Sequence, residues 1–146
     1  MEELQVKTHS RIELIDITHQ VQKIVHKSNV TSGMCVVFVP HTTAALTINE
    51  NADPSVIQDM LAALNKIIPL QDGYRHSEGN SAAHIKSSFF GCSQTVIIEG
   101  GMLQLGTWQS LFFCEFDGPR NRKVWIKVMY LRQSRRLDVC WPLKGA

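Results

Sequence analysis

Two polar stretches carry the residue types that do chemistry. The first, Pro40 to Asp53 (PHTTAALTINENAD), holds His41, Thr42, Thr43, Thr47, Asn49, Glu50, Asn51 and Asp53 between an apolar strand-like run and a helix-like run. The second, Arg75 to His84 (RHSEGNSAAH), holds His76, Glu78, Asn80 and His84. A connector needs only one or two turn formers, and polar groups at the end of a buried strand cost free energy unless something satisfies them. The two stretches are therefore expected to meet and form one site.

His9, His19 and His26 fall in amphipathic N-terminal elements and read as solvated surface. His41, His76 and His84 all fall in the polar stretches. Three neutral imidazoles with an open fourth position make a catalytic zinc arrangement. The spacing does not decide it, because His76 and His84 are not a helix-face pair of the HExxH kind. The alternative is loop histidines hydrogen-bonded to backbone.

Asp53, directly before Pro54, is explained as a helix cap. Glu50 and Glu78 have no such duty, and either can orient a histidine or transfer a proton. His76-Ser77-Glu78 mimics the HxE of zinc deaminases, but the PCxxC that completes their site is absent. Phosphate-loop, dinucleotide and nucleophile-elbow motifs are absent too. Gly106-Thr107-Trp108-Gln109 carries three functional side chains, set against a bulge with a core tryptophan. Arg120, in the turn Asp117-Gly118-Pro119-Arg120, can hold an anion, and Arg75 and Lys86 flank the second histidine stretch as further phosphate contacts.

The elements that must position these residues follow from periodicity. Leu4 to Thr8 and Arg11 to Ile17 read as short strands, and Thr18 as the cap of a helix with Val21, Ile24 and Val25 on one face. Met34 to Val39 reads as a buried strand ended by Pro40, and Ala44 to Ile48 pairs with or continues the sheet. Ile57, Met60, Leu61, Leu64 and Ile67 or Ile68 recur at helical spacing after Asp53-Pro54. Ala82 to Phe90 reads as a helix capped by Asn80 or Ser81 and ended by Gly91. Gln94 to Glu99 and Met102 to Leu105 read as a hairpin around Gly100-Gly101. Trp108 to Phe116 and Lys123 to Leu131 read as further strands, so the second half is expected to be an antiparallel meander. Val124, Ile126, Val128 and Tyr130 share one face of the last strand. Trp125 and Met129 sit on the other face with lysines, which marks a partner surface. Strands with two or three helices give an α+β class in a single domain, 1–146, with 132–146 as a C-terminal extension.

Composition sets the outer limits. At 146 residues, 44% hydrophobic and 19% charged, the chain suits one globular domain. A net charge of +2, with basic residues dispersed apart from Arg132, Arg135 and Arg136, argues against nucleic acid. No apolar run approaches the roughly 20 residues that span a bilayer, and the N-terminus is unlike a signal peptide. Cys35, Cys92, Cys114 and Cys140 form no CxxC pair and read as reduced, mostly buried thiols of a cytoplasmic protein.

PHTTAALTINENADP, RHSEGNSAAHIKSS, GTWQ and CEFDGPR, in this order and spacing, make the chain similar to the YjbQ family, the group called secondary thiamine-phosphate synthases. The resemblance covers roughly residues 3 to 130. It implies an α+β domain whose antiparallel sheets pack around a threefold axis in a homotrimer. It also implies a metal pocket near subunit contacts, with His41, His76 and His84 as ligands. The implied activity is a weak transferase reaction of thiamine-phosphate synthase type, joining a pyrimidine diphosphate to a thiazole phosphate. In that scheme Glu50, Glu78 and His84 are catalytic, and Thr42, Thr43, Asn49, Asn80, Trp108, Gln109 and Arg120 bind substrate. The cofactor would be a divalent metal, zinc from the histidines or magnesium from the diphosphate. Two other readings stay open: a metal-dependent hydrolase of a small phosphorylated metabolite, and a non-catalytic trimer that binds a metabolite or a protein.

Overall fold

The structure, a computed structural model, describes residues 1–130. The elements run β1 (Glu2–Lys7), β2 (Glu13–Asp16), α1 (Thr18–Lys27), β3 (Ser32–Phe38), β4 (Ala44–Glu50), α2 (Pro54–Ile67), α3 (Ser81–Phe90), β5 (Ser93–Glu99), β6 (Met102–Leu103), β7 (Gln109–Glu115) and β8 (Asn121–Tyr130). The α+β class is as expected, with three helices among the described residues.

The strands form two antiparallel sheets, one in the order β1-β8-β3-β5-β6 and one in the order β2-β7-β4. The expected meander is corrected here. β5 and β6 form the hairpin, with Gly100 and Gly101 at φ 60° and 75°, as a two-residue turn of the primed kind requires. The chain then leaves that sheet. β7 pairs with β2 and β4, and β8 returns to lie between β1 and β3.

The physical reason lies in β7. Leu111 and Phe113 pack into the core between the sheets, with Val37, Ile98, Val124 and Ile126 of the larger sheet and Val21 and Val25 of α1. Phe112 and Cys114 face the other way, into a second core with Ala45 and Ala83 and with half-buried Ile57, Leu64 and Phe90 from α2 and α3. A strand buried on both faces has no polar alternation, and only a middle layer accommodates it. The molecule therefore has three layers: five-stranded sheet, three-stranded sheet, and the α2/α3 pair. Burying side chains of this size contributes about 1.5–3 kcal/mol each.

The ends of α2 follow the sequence. Asp53 accepts a hydrogen bond from the Ser55 N–H at 2.8 Å, and Pro54 opens the helix. No residue of α2 is fully buried, so it lies on the small sheet rather than within it. Asn80 occupies the position before α3, but its side chain makes no capping bond. Cys35, Cys92 and Cys114 are free thiols, the first and last buried. No helix is long and apolar enough to cross a membrane among the described residues. The proposed extension 132–146, with Cys140 and the arginine cluster, lies outside the described residues.

Candidate functional site

β4 divides the first polar stretch. His41 and Thr42 precede it, while Asn49, Glu50 and Asn51 stand at its far end, six residue steps or roughly 20 Å away at about 3.3 Å per step. The register fixes this: Ala44 pairs with Glu115 at one end of β7, and Glu50 with Gln109 at the other.

At the near end the two polar stretches do meet. His41, Thr42, His84, Ser87, Ser88 and Cys92 line a cleft of about 550 Å³. His84 also lines a neighbouring cleft of about 350 Å³ with Tyr74, His76, Ser81 and Ile85. The His76 and His84 rings stand edge to face, centroids 5.2 Å apart. Glu78 reaches within 3.8 Å of His76 Nε2 at the exposed rim.

The loop that carries His41 is held from three sides. Ser87 Oγ donates to the Thr42 carbonyl at 2.6 Å. Arg122 Nη2 donates to Thr43 Oγ1 at 2.9 Å. The Lys123 N–H donates to His41 Nε2 at 2.9 Å. Behind it, Arg122 grips Glu115 through Nη2–Oε1 at 2.6 Å and Nε–Oε2 at 2.8 Å. Burial, and then the Arg122 guanidinium, hold the His41 imidazole below its ordinary pKa; Glu115 opposes this, and Lys123 acts both ways, its charge lowering the value and its backbone hydrogen bond raising it.

The residues do not fit the expected metal centre. Among the described residues no group of three or more His, Cys, Asp or Glu side chains is placed to hold an ion. The reason is concrete at His41, whose Nε2 lone pair is taken by the Lys123 N–H. The zinc triad of His41, His76 and His84 is therefore corrected to two adjoining histidine-lined clefts that share His84.

Other candidates fall elsewhere. Trp108, Gln109, Asn49 and Glu50 gather at the far end, where Asn51 N–H donates to the Trp108 carbonyl at 2.9 Å and Gln109 Oε1 accepts from the Gly106 N–H at 2.8 Å. Asn49 Nδ2 lies 3.2 Å from Met60 Sδ. Thr43 is buried against Arg122. Arg120 Nη2 pairs with Asp117 Oδ2 at 2.7 Å, and Asn80 Nδ2 donates to the same oxygen at 3.1 Å. Lys86 is fully buried and donates to Asn65 Oδ1, so it is no phosphate contact. Arg75 is exposed.

Ser87, Ser88 and Cys92 were not singled out by sequence, and neither were Glu115 and Arg122. The last two had a signal. A carboxylate inside the apolar run Leu111 to Phe116 requires a buried partner, and the first arginines after it are Arg120 and Arg122.

A family model described as "UPF0047 protein YjbQ-like" matches residues 2–130. A UPF0047 protein of Methanocaldococcus jannaschii is 54% identical over 86% of this chain and 91% of its own length. The Bacillus subtilis UPF0047 protein YugU is 54% identical over 86% and 96%. Among solved structures, an uncharacterized conserved protein of the same family from Clostridium acetobutylicum superposes with a TM-score of 0.87 at 55% identity, covering 88% of this chain and all of its own. A YbjQ-like protein of unknown function from Sulfolobus solfataricus gives 0.85 at 33% identity, covering 89% and 96%. These findings overturn the expected thiamine-phosphate synthase activity. The relatives carry only the UPF0047 designation, and the Sulfolobus neighbour is described as of unknown function. The site agrees: of the cations meant to neutralise a diphosphate, Lys86 is buried and Arg120 is paired with Asp117.

Proposed function

The chain belongs to the YjbQ-like UPF0047 family, and from that premise we propose that it binds a small phosphorylated metabolite in the histidine-lined clefts, as a homotrimer. The observation that carries this reading is the position of His84. It forms the shared wall of both clefts, with His41 and Thr42 on one side and His76 and Ser81 on the other. Ser81 opens α3, whose first turn has no side-chain cap. Uncapped N–H groups and the positive end of the helix favour an anion.

The trimer reading rests on the outer face of the large sheet. Phe38 and Trp125 stack there with centroids 5.8 Å apart. Met34 is the cross-strand neighbour of both Met129 and Ile97, and Ile97 is 62% exposed. An apolar band on a sheet face that also carries Lys123 and Lys127 suits a partner of the same kind.

The test is a titration with a sugar phosphate, a nucleoside monophosphate and inorganic phosphate, followed by amide chemical shifts, alongside sedimentation equilibrium. Saturable binding that perturbs residues around His84 and disappears in His84→Ala supports the reading. No saturable binding by any phosphate, or perturbations confined to the far end of β4, overturns it. A monomer at micromolar concentration removes the trimer.

A further inference from the structure

We propose that residues 137–140 of this chain dock on the open edge of β8 and lay Leu137 and Val139 over an apolar cleft beside it. The segment lies outside the described residues. This goes beyond the anion-binding reading and stands or falls without it.

β1 covers β8 from Asn121, opposite Lys7, to Ile126, opposite Glu2. Where the backbone groups point beyond Ile126 is fixed by the other neighbour, β3. The Lys123 N–H points to the β3 side, where it meets His41. Direction alternates residue by residue along a strand, so Trp125, Lys127 and Met129 follow Lys123 toward β3, their partner strand. Ile126, Val128 and Tyr130 therefore turn their N–H and C=O groups to the opposite side. Ile126 meets Glu2 there, but among the described residues nothing pairs with Val128 or Tyr130 on that side. An open strand edge is a template for another strand, and an unpaired backbone group at a half-buried residue such as Val128 costs free energy.

The same edge borders a cleft of about 190 Å³ whose lining includes Ile24, Ile126 and Val128, with Lys27 and Met1. Ile126 belongs to the main core, and half-buried Ile24 and Val128 pack against it. The cleft is thus a gap in the apolar layer, next to backbone groups that lack a partner.

The sequence that follows β8 suits both features. Arg132-Gln133-Ser134-Arg135 is a polar stretch of hairpin-loop length, and Leu137-Asp138-Val139 alternates as a half-buried strand does. A four-residue loop sets Leu137 opposite Tyr130 and Val139 opposite Val128, the two residues whose groups face the open edge. Directly opposed side chains share a face, so Leu137 and Val139 take the Val128 face and cover the cleft. Asp138 takes the outer face, diagonal to exposed Lys127. A slip of one residue would reverse every side chain, so the apolar pattern selects this register. Two steps past Val139, Trp141 would reach the place where Glu2 already pairs with Ile126. The segment must leave the sheet before that point, and Pro142 has no N–H with which to continue.

Amide hydrogen exchange on the full chain, followed residue by residue, tests this. In wild type the Val128 and Tyr130 amides should be protected, and Val139 methyl protons should show contacts to Val128. Val139→Asp places a carboxylate over the cleft and should abolish protection at Val128 and Tyr130, while Ile126, covered by Glu2, keeps its own. Asp138→Ala, on the outer face, should leave all three protected. Unprotected Val128 and Tyr130 amides in wild type overturn the proposal. Protection that survives Val139→Asp overturns it as well, and if that protection falls on dilution a second copy of the chain is the occupant. Loss in Asp138→Ala but not in Val139→Asp overturns the register and with it the cover over the cleft.

Discussion

Glu115 and Arg122 form a two-pronged ion pair across the turn between β7 and β8, with side chains 0% and 7% exposed. Glu115 also accepts from Thr8 Oγ1 at 3.1 Å and from the Phe116 and Asp117 N–H groups at 3.1 and 2.9 Å. The pair thus ties the end of β1, the turn and the loop carrying His41 to one carboxylate. A buried pair adds little net stability over an apolar replacement, but removing one partner strands a charge.

Arg122→Met should therefore destabilise the fold by about 3–5 kcal/mol, read from urea unfolding midpoints. Adding Glu115→Gln should recover part of that loss, because the amide oxygen can still accept while the charge is gone. A single variant as stable as wild type would show that the pair carries no such role.

Gly118 follows the same turn. A Cβ there would stand 2.3 Å from the Ser10 carbonyl oxygen and 2.8 Å from Glu115 Cγ. The first contact is with backbone, which cannot swing away. Gly118→Ala should thus lower the thermal midpoint well beyond the surface-mutation range of about 0.5 kcal/mol. An unchanged midpoint would mean that the β1–β2 connection yields freely.

These two sites show what the sequence conveyed. The motif CEFDGPR stood out as a turn with a loose arginine, yet its work is structural: Glu115 holds Arg122, Gly118 makes room, and Arg120 pairs with Asp117. Local chemistry was legible where the cause is local. Asp53-Pro54 starts α2, Gly100-Gly101 turns the hairpin, and Val124 and Ile126 alternate into the core. What stayed hidden depends on pairing across the chain. β7 reads as a strand, but burial on both faces does not say which sheet receives it. Asn49 and Glu50 look contiguous with His41 until β4 is seen to carry them away along β7. His41 is held by the N–H of Lys123, 82 residues distant.

On the outer sheet face, Trp125→Glu places a carboxylate in the apolar band beside Phe38. Trp125 is half-buried at a position where the strand faces away from the core. The substitution should leave folding intact and shift sedimentation toward monomer. A variant that assembles like wild type would exclude this face as the contact.

Lys86 supplies the pH-dependent prediction. It is fully buried, and among the described hydrogen bonds its Nζ has one partner, Asn65 Oδ1 at 2.5 Å. Burial, and then the nearby Arg11 charge, lower its pKa below the ordinary 10.5. Between the lowered value and 10.5 the unfolded chain binds more protons at this residue than the folded one, so stability should rise with pH across that window. Below it both states are protonated and the full cost of the buried charge is present. Buried Cys35, pushed up to about 11, and Cys114, pushed up as well, work in the opposite direction, but both remain in a Lys86→Met variant and cancel in the comparison. The stability of wild type relative to Lys86→Met should accordingly increase from neutral pH toward 10.5, measured by urea unfolding at each pH. Because Asn65 lies at the surface, water replaces the lost bond and the variant should fold. A difference that stays flat with pH would mean that Lys86 keeps its proton as readily in the folded chain as in the unfolded one, and that its burial carries no electrostatic cost.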